Sequence, residues 1–248
     1  MSLLSEYENW TDASALTELR VKPPEAVWLV GDTHIGAKTC RLGKLKEHLS
    51  IAQDAGAEAI FIGDALECVT LSSTVAQAGA LYDQWQPPDD HPINAQLDIF
   101  CEVFSAIPVI GIHNGNHERR AWRQGFDLVS EMLKRLGNGK DLGVLASIQI
   151  GKTKFLTSHG EGAGQKHLEY RLRDFGHHHV CAGGHTHSLS VTTVASYDHP
   201  PTHLIRTGSY LQDPRYALER QYSGARSPVG SVLVHLDAGE LASVEVLT

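Results

Sequence analysis

Five short apolar runs that each end in a polar cluster constrain this chain more than any other feature of its sequence. Ala26-Val27-Trp28-Leu29-Val30 stops at Gly31-Asp32-Thr33-His34, residues 59–62 run into Gly63-Asp64, and residues 108–112 open into His113-Asn114-Gly115-Asn116-His117-Glu118. Residues 154–157 lead to Ser158-His159-Gly160, and residues 180–182 lead to Gly184-His185-Thr186-His187. Apolar runs this short, bounded by turn residues, are the pattern of buried strands. Between the first three lie helical spacings: Leu42, Leu45, Leu49 and Ala52 within residues 41–56, and a second helix over 93–105. Strand, polar loop and helix alternate three times, which predicts an α/β layered fold. A helix over 126–136 follows. The second half then turns to strand-like runs at 144–150, 154–157, 180–182, 190–195, 203–206, 229–235 and 241–246, interrupted by one helix at 164–175. These predict a second sheet packed face to face with the first.

Residues 1–25 read as an N-terminal appendage, weakly helical over 10–20 and ending at Pro23-Pro24. Residues 26–248 read as one domain, carrying an insert at 68–107. A chain of 248 residues fits a single core, since cores split beyond roughly 250–300 residues. A composition of 42% hydrophobic and 20% charged residues excludes wholesale disorder. No apolar run approaches the roughly 20 residues of a membrane span, and the start lacks a basic and apolar leader, so the expected location is cytoplasmic with no membrane partner. The net charge of −8 argues against a general nucleic-acid coat while leaving room for a local basic patch. Cys40, Cys68, Cys101 and Cys181 form no close pair, which excludes a zinc knuckle and a thioredoxin-type site and predicts buried free thiols.

In open α/β sheets, ligands bind beyond the carboxyl ends of the strands. The five clusters can therefore share one crevice. Asp32, His34, Asp64, Asn116, His159, His185 and His187 offer oxygen and nitrogen donors without sulfur, a set suited to manganese first and also to iron, cobalt, nickel or zinc. Seven ligands are too many for one cation and enough for two that share Asp64. On extended backbone, residues i and i+2 point the same way, so Asp32 with His34 and His185 with His187 are each expected to present two ligands to one place. Each cluster alone is a common turn; all five in order at strand ends point to a dinuclear metal site. His177-His178-His179 reads as exposed.

The series Asp32-x-His34, Gly63-Asp64, Gly115-Asn116-His117-Glu118, His159 and Gly184-His185-x-His187 resembles the motif series of the calcineurin-like metallophosphoesterases, over roughly residues 27–210. The resemblance implies a four-layer αββα sandwich, two mixed sheets with flanking helices. It also implies one metal held by Asp32, His34, Asp64 and His187 and another by Asp64, Asn116, His159 and His185. The implied reaction is in-line attack of a metal-bridging hydroxide on a phosphoester. His117 is the candidate to protonate or stabilise the leaving group, with Glu67 in the place of its acidic partner. Arg119, Arg120 and Arg123, and His113, are weaker candidates for substrate contact, solvated helix being the plainer reading of the arginines. Tyr82 and Trp85, in the insert, are candidates for an aromatic lip. The expected substrate is a small organic phosphate or nucleotide, cleaved by a phosphodiesterase or phosphatase. A DNA nuclease and a non-catalytic interaction protein are the alternatives.

Overall fold

The computed structural model describes residues 16–68, 92–123, 125–160, 168–169, 174–211 and 228–248. Its strands are β1 (Leu16–Val21), β2 (Ala26–Val30), β3 (Ala57–Phe61), β4 (Val109–Ile112), β5 (Lys140–Asp141), β6 (Leu145–Ile150), β7 (Thr153–Ser158), β8 (Val180–Gly183), β9 (Leu189–Val194), β10 (Thr202–Thr207), β11 (Ser231–Asp237) and β12 (Glu240–Leu247). The helices are α1 (Leu42–Asp54), α2 (Pro92–Phe104), α3 (Asn116–Trp122) and α4 (Leu128–Leu136). Two mixed six-stranded sheets result, ordered β12-β11-β2-β3-β4-β5 and β1-β6-β7-β8-β10-β9.

Period-two patterning sets the layers. In β2, Val27 and Leu29 face the second sheet, meeting Ala146, Ile148, Phe155 and Ile205. Ala26, Trp28 and Val30 face the other way, toward Leu45, Leu49 and Ala52 of α1, Phe100 and Phe104 of α2, and Val129 and Met132 of α4. A strand buried on both faces must be apolar throughout, and all five residues of β2 are buried. On the far side of the second sheet, Leu168 packs with Leu145, Leu156, Cys181 and Leu204. Most of the helix expected over 164–175 lies outside the described residues.

Three expectations change. Leu16–Val21, placed in an N-terminal appendage with helical character, is instead an edge strand paired parallel with β6. Leu19 and Val21 pack into the space between the sheets, a period-two signal that Leu16 and Leu19 disguise as helical spacing. Strands β11 and β12, expected in the second sheet, belong to the first, where β11 pairs antiparallel with β2 and covers what would be an open edge. Within the 68–107 insert, Leu97, Phe100 and Phe104 of α2 join the core, so that part is structural. Tyr82 and Trp85 lie outside the described residues.

Phe61 of β3 is gripped by two rings of α2, with centroids 5.1 Å away at Phe100 and 4.5 Å away at Phe104. Phe104→Ala is expected to cost about 3–5 kcal/mol, read as a lowered urea midpoint with an unchanged denaturant slope.

Candidate metal centre

β2, β3 and β4 are parallel neighbours, and β7 and β8 are parallel neighbours in the other sheet. Their carboxyl ends open at one edge of the sandwich, and all seven candidate ligands emerge there. His34 Nε2 and His187 Nε2 lie 3.2 Å apart, with Asp32 Oδ1 3.3 Å from His187 Nε2 and 3.9 Å from His34 Nε2. Beside them, His159 Nε2 lies 3.3 Å from Asp64 Oδ2 and 3.1 Å from Asn116 Oδ1. Asn116 Oδ1 is also 2.8 Å from His185 Nδ1. Asp32, His34 and His187 form one group able to hold a metal ion, and Asp64, His159 and His185 form a second. A third, of His34, Asp64 and His117, lies between them.

The clusters converge by a route other than the extended geometry expected of them. Asp32, His34, Asp64, His185 and His187 have φ between 48° and 69°, the left-handed region, which costs a non-glycine residue roughly 1–2 kcal/mol. Such strain persists where neighbours over-determine it. Here Asp32 N donates to Gly63 O and His34 N to Asp64 O, at 2.9 and 3.1 Å. Tyr210 N and Ser209 Oγ both donate to Asp32 O.

Both carboxylates are almost wholly buried, and each is divided between two tasks. Asp32 Oδ2 accepts from His185 N at 2.9 Å, joining the two sheets, while Asp64 Oδ1 accepts from His117 N at 2.8 Å. The second oxygen of each faces the histidines. Asp32 Oδ1 is buried and makes no hydrogen bond among the described residues. A buried anionic oxygen left in that condition is costly, and a cation between it and the imidazoles would satisfy it. The donor set thus fits divalent metal. The histidine tautomers fit as well: His159 Nδ1–H donates to Ile62 O at 2.8 Å and His34 Nδ1–H to Glu67 Oε2 at 2.9 Å. Both leave Nε2 turned inward, the arrangement in which an outer acceptor orients a metal-ligating imidazole.

Glu67 is therefore placed differently from expectation. Its carboxylate engages His34, whereas His117 Nδ1–H donates to the Glu67 main-chain carbonyl at 2.8 Å and lies 3.6 Å from Oε2. His117 Nε2 accepts from Arg120 at 3.3 Å. Burial first, and then His34, hold His117 below its usual pKa. Arg119 Nε donates to Gly115 O. His113 is not at the site: it is fully buried, donating from Nδ1 to Gly143 O and bonded through Nε2 to Thr157 Oγ1. It bolts the end of β4 to β7. His178, expected at the surface, is buried too, donating to Gly176 O and accepting from Ser147 Oγ.

Glu118 was legible only as part of its motif, without a role. Its Oε2 accepts from Asp64 N and Gly115 N, both at 3.0 Å, and its Oε1 from Leu66 N at 3.1 Å. One carboxylate thereby clamps the loop carrying Asp64 to the start of α3. A glutamate three residues after Gly115, reaching back to that residue's N–H, is the capping-box spacing that signals it. Gly115 itself has no room for a side chain, since a Cβ there would collide with Asp64 Oδ1.

No protein-family model matches the chain, and no curated protein matches it. Among solved structures, it is similar to a predicted phosphoesterase of Streptococcus pneumoniae at 13% identity, covering 91% of this chain and 98% of that one, with a TM-score of 0.43. It is also similar to zinc-complexed Vps29 of Entamoeba histolytica at 14% identity, covering 89% and 96%, with a TM-score of 0.48. The phosphoesterase YfcE of E. coli is similar at 13% identity over 90% and 100%, with a TM-score of 0.45. The sandwich and the order of the five clusters on it agree with the motif resemblance to the calcineurin-like metallophosphoesterases. Among the described residues, no helix is long and apolar enough to cross a membrane.

Metal binding at this centre must be coupled to protons. Burial opposes charge on His34 and His159, yet Glu67 and Asp64 respectively outweigh it and raise both pKa values to about 9. In the metal-free chain, these two groups stabilise the fold fully below about pH 6.5, and that contribution is lost as pH rises through 9. Metal must displace the same protons. Manganese affinity is therefore expected to rise from pH 6.5 to 9, with about two protons released. Calorimetry in buffers of different ionisation enthalpy counts them; an affinity independent of pH would contradict the coupling.

Proposed function

We propose that this chain is a phosphoester hydrolase dependent on two divalent metal ions, acting on a small organic phosphate or nucleotide. The observation that supports it most is the buried, unbonded Asp32 Oδ1 facing His34 and His187, beside a second set of donors from the same sandwich edge. Asp32, His34, Asp64 and His187 would hold one cation, and Asp64, Asn116, His159 and His185 the other, with manganese the first choice. Bound there, such cations supply Lewis acidity and charge neutralisation to a phosphoryl group.

The remaining work falls to the chain itself. Glu67 and the Ile62 carbonyl hold the two inner imidazoles in the orientation that presents Nε2. Glu118 keeps the Asp64 loop in register with α3. His117 is fixed in one tautomer by the Glu67 carbonyl, and its Nε2 faces the centre with the Arg120 guanidinium against it. We assign the leaving group to this pair: Arg120 supplies positive charge as the ester oxygen becomes anionic, and His117, neutral with its Nε2 lone pair toward the centre, takes a proton from water there and passes it to that oxygen as the bond to phosphorus breaks. The full complement of seven donors speaks against a purely structural role.

The test is metal analysis joined to a substrate panel of an aryl phosphomonoester, an aryl phosphodiester and cyclic nucleotides. Asp64→Ala is expected to lose both metals and all turnover. His117→Ala is expected to retain metal and lose roughly 10²–10⁴-fold in rate, with a smaller loss on a nitrophenyl ester, whose leaving group needs no help. Loss of metal in that variant, or an equal loss with every leaving group, would remove His117 from the role.

A further inference from the structure

Helix α3 carries the centre's Asn116 at its first position and ends in an exposed tryptophan. At about 100° per residue, Asn116, Arg119, Arg120, Trp122 and Arg123 occupy one half of the helix surface. His117, Glu118 and Ala121 occupy the other half and are buried. The outer half therefore holds three arginines and no acidic residue. Trp122 is 60% exposed, and Phe126, just past the helix, is 47% exposed. Both Arg119 and Arg120 turn back toward the N-terminal end of the helix, at Gly115 O and His117 Nε2. Trp122 lies six positions along the helix from Asn116, about 9 Å along the axis.

A large indole left in water beside guanidinium groups has a specific chemical complement: a flat π-face joined to phosphate. Aromatic stacking combined with a basic track is how proteins hold single-stranded nucleic acid without reading its sequence. On a chain of net charge −8, three arginines on one helix half beside the donor cluster give a local basic face with charge suited to a polyanion. We propose that the outer face of α3 is a platform for single-stranded nucleic acid, with a base stacked on Trp122 and the neighbouring phosphates led by Arg123 and Arg119 toward the metal centre. This moves the substrate of the proposed hydrolase from a small organic phosphate or nucleotide to a nucleic-acid strand, and it rests on the hydrolase reading for where the scissile phosphate lies. A duplex does not suit the same face, because its bases are stacked on one another and closed to the indole.

The test separates the surface from the chemistry. Binding of a labelled oligothymidylate is followed by fluorescence anisotropy in EDTA, so that no hydrolysis intervenes, with a duplex of equal length as competitor. Turnover of bis(4-nitrophenyl) phosphate with manganese is measured on the same proteins. Wild type is expected to bind the single strand in preference to the duplex. Trp122→Ala is expected to weaken that binding roughly ten-fold, Trp122→Phe to restore most of it, and neither to alter turnover of the aryl diester. Arg123→Ala is expected to reduce the slope of log affinity against log salt by about 0.7. Equal binding by wild type and Trp122→Ala, or no preference for the single strand, would overturn the platform. Strand binding with the predicted Trp122 dependence in a chain that, loaded with manganese, cleaves neither the strand nor any ester of the panel would uphold the platform and remove the hydrolase.

Discussion

Two carboxylates buried at the meeting edge of two sheets are the constraint around which this molecule is built. Asp32 and Asp64 are almost inaccessible to water, and an ionised carboxylate in such a place is tolerated only when paired and hydrogen-bonded. The polypeptide provides this in part, leaving Asp32 Oδ1 with imidazoles beside it and no hydrogen bond among the described residues. Each aspartate takes a main-chain N–H from another ligand-bearing loop on one oxygen and turns the other toward imidazole. The Asp32 bond crosses from one sheet to the other, so the contact that shapes the site also ties the sheets together at this edge. That is why the strained backbone falls here: five of the seven donors sit in left-handed turns that only this mutual bonding can hold.

Much of the architecture was legible because buried strands and helices leave periodic traces. Val27, Trp28, Leu29 and Val30 announce a strand buried on both faces, and Leu45, Leu49 and Ala52 a helix face. Edge strands leave weaker ones. Leu16–Val21 is half-exposed and mixed in composition, and its pairing with β6 is decided by main-chain hydrogen bonds with no residue signature. Sheet membership was illegible for a similar reason: the apolar run Val232-Leu233-Val234 shows that β11 is a buried strand, and nothing local shows that β2 is its neighbour.

Within the centre, the order of Asp, His and Asn residues identified the donors but not how they are aimed. The expectation that Asp32 and His34 converge through extended backbone failed because turns at glycine-flanked strand ends wind the other way. Outer partners were harder still. Glu67 lies near both His34 and His117, and only the geometry shows its carboxylate on the first and its carbonyl on the second. His113 looked like a site residue by proximity in sequence, yet the strand it ends directs it into the seam between the sheets. The arginines after Glu118 gave no clue to their facing until helix phase separated them from His117 and Ala121.

The proposed activity requires paired cations in this cradle, and anomalous diffraction from crystals soaked in manganese tests for them most directly. Two peaks are expected, one among Asp32, His34, Asp64 and His187 and the other among Asp64, Asn116, His159 and His185. A well-ordered crystal with no peak there, or with a single one that leaves Asp32 Oδ1 uncoordinated, would contradict the proposed activity.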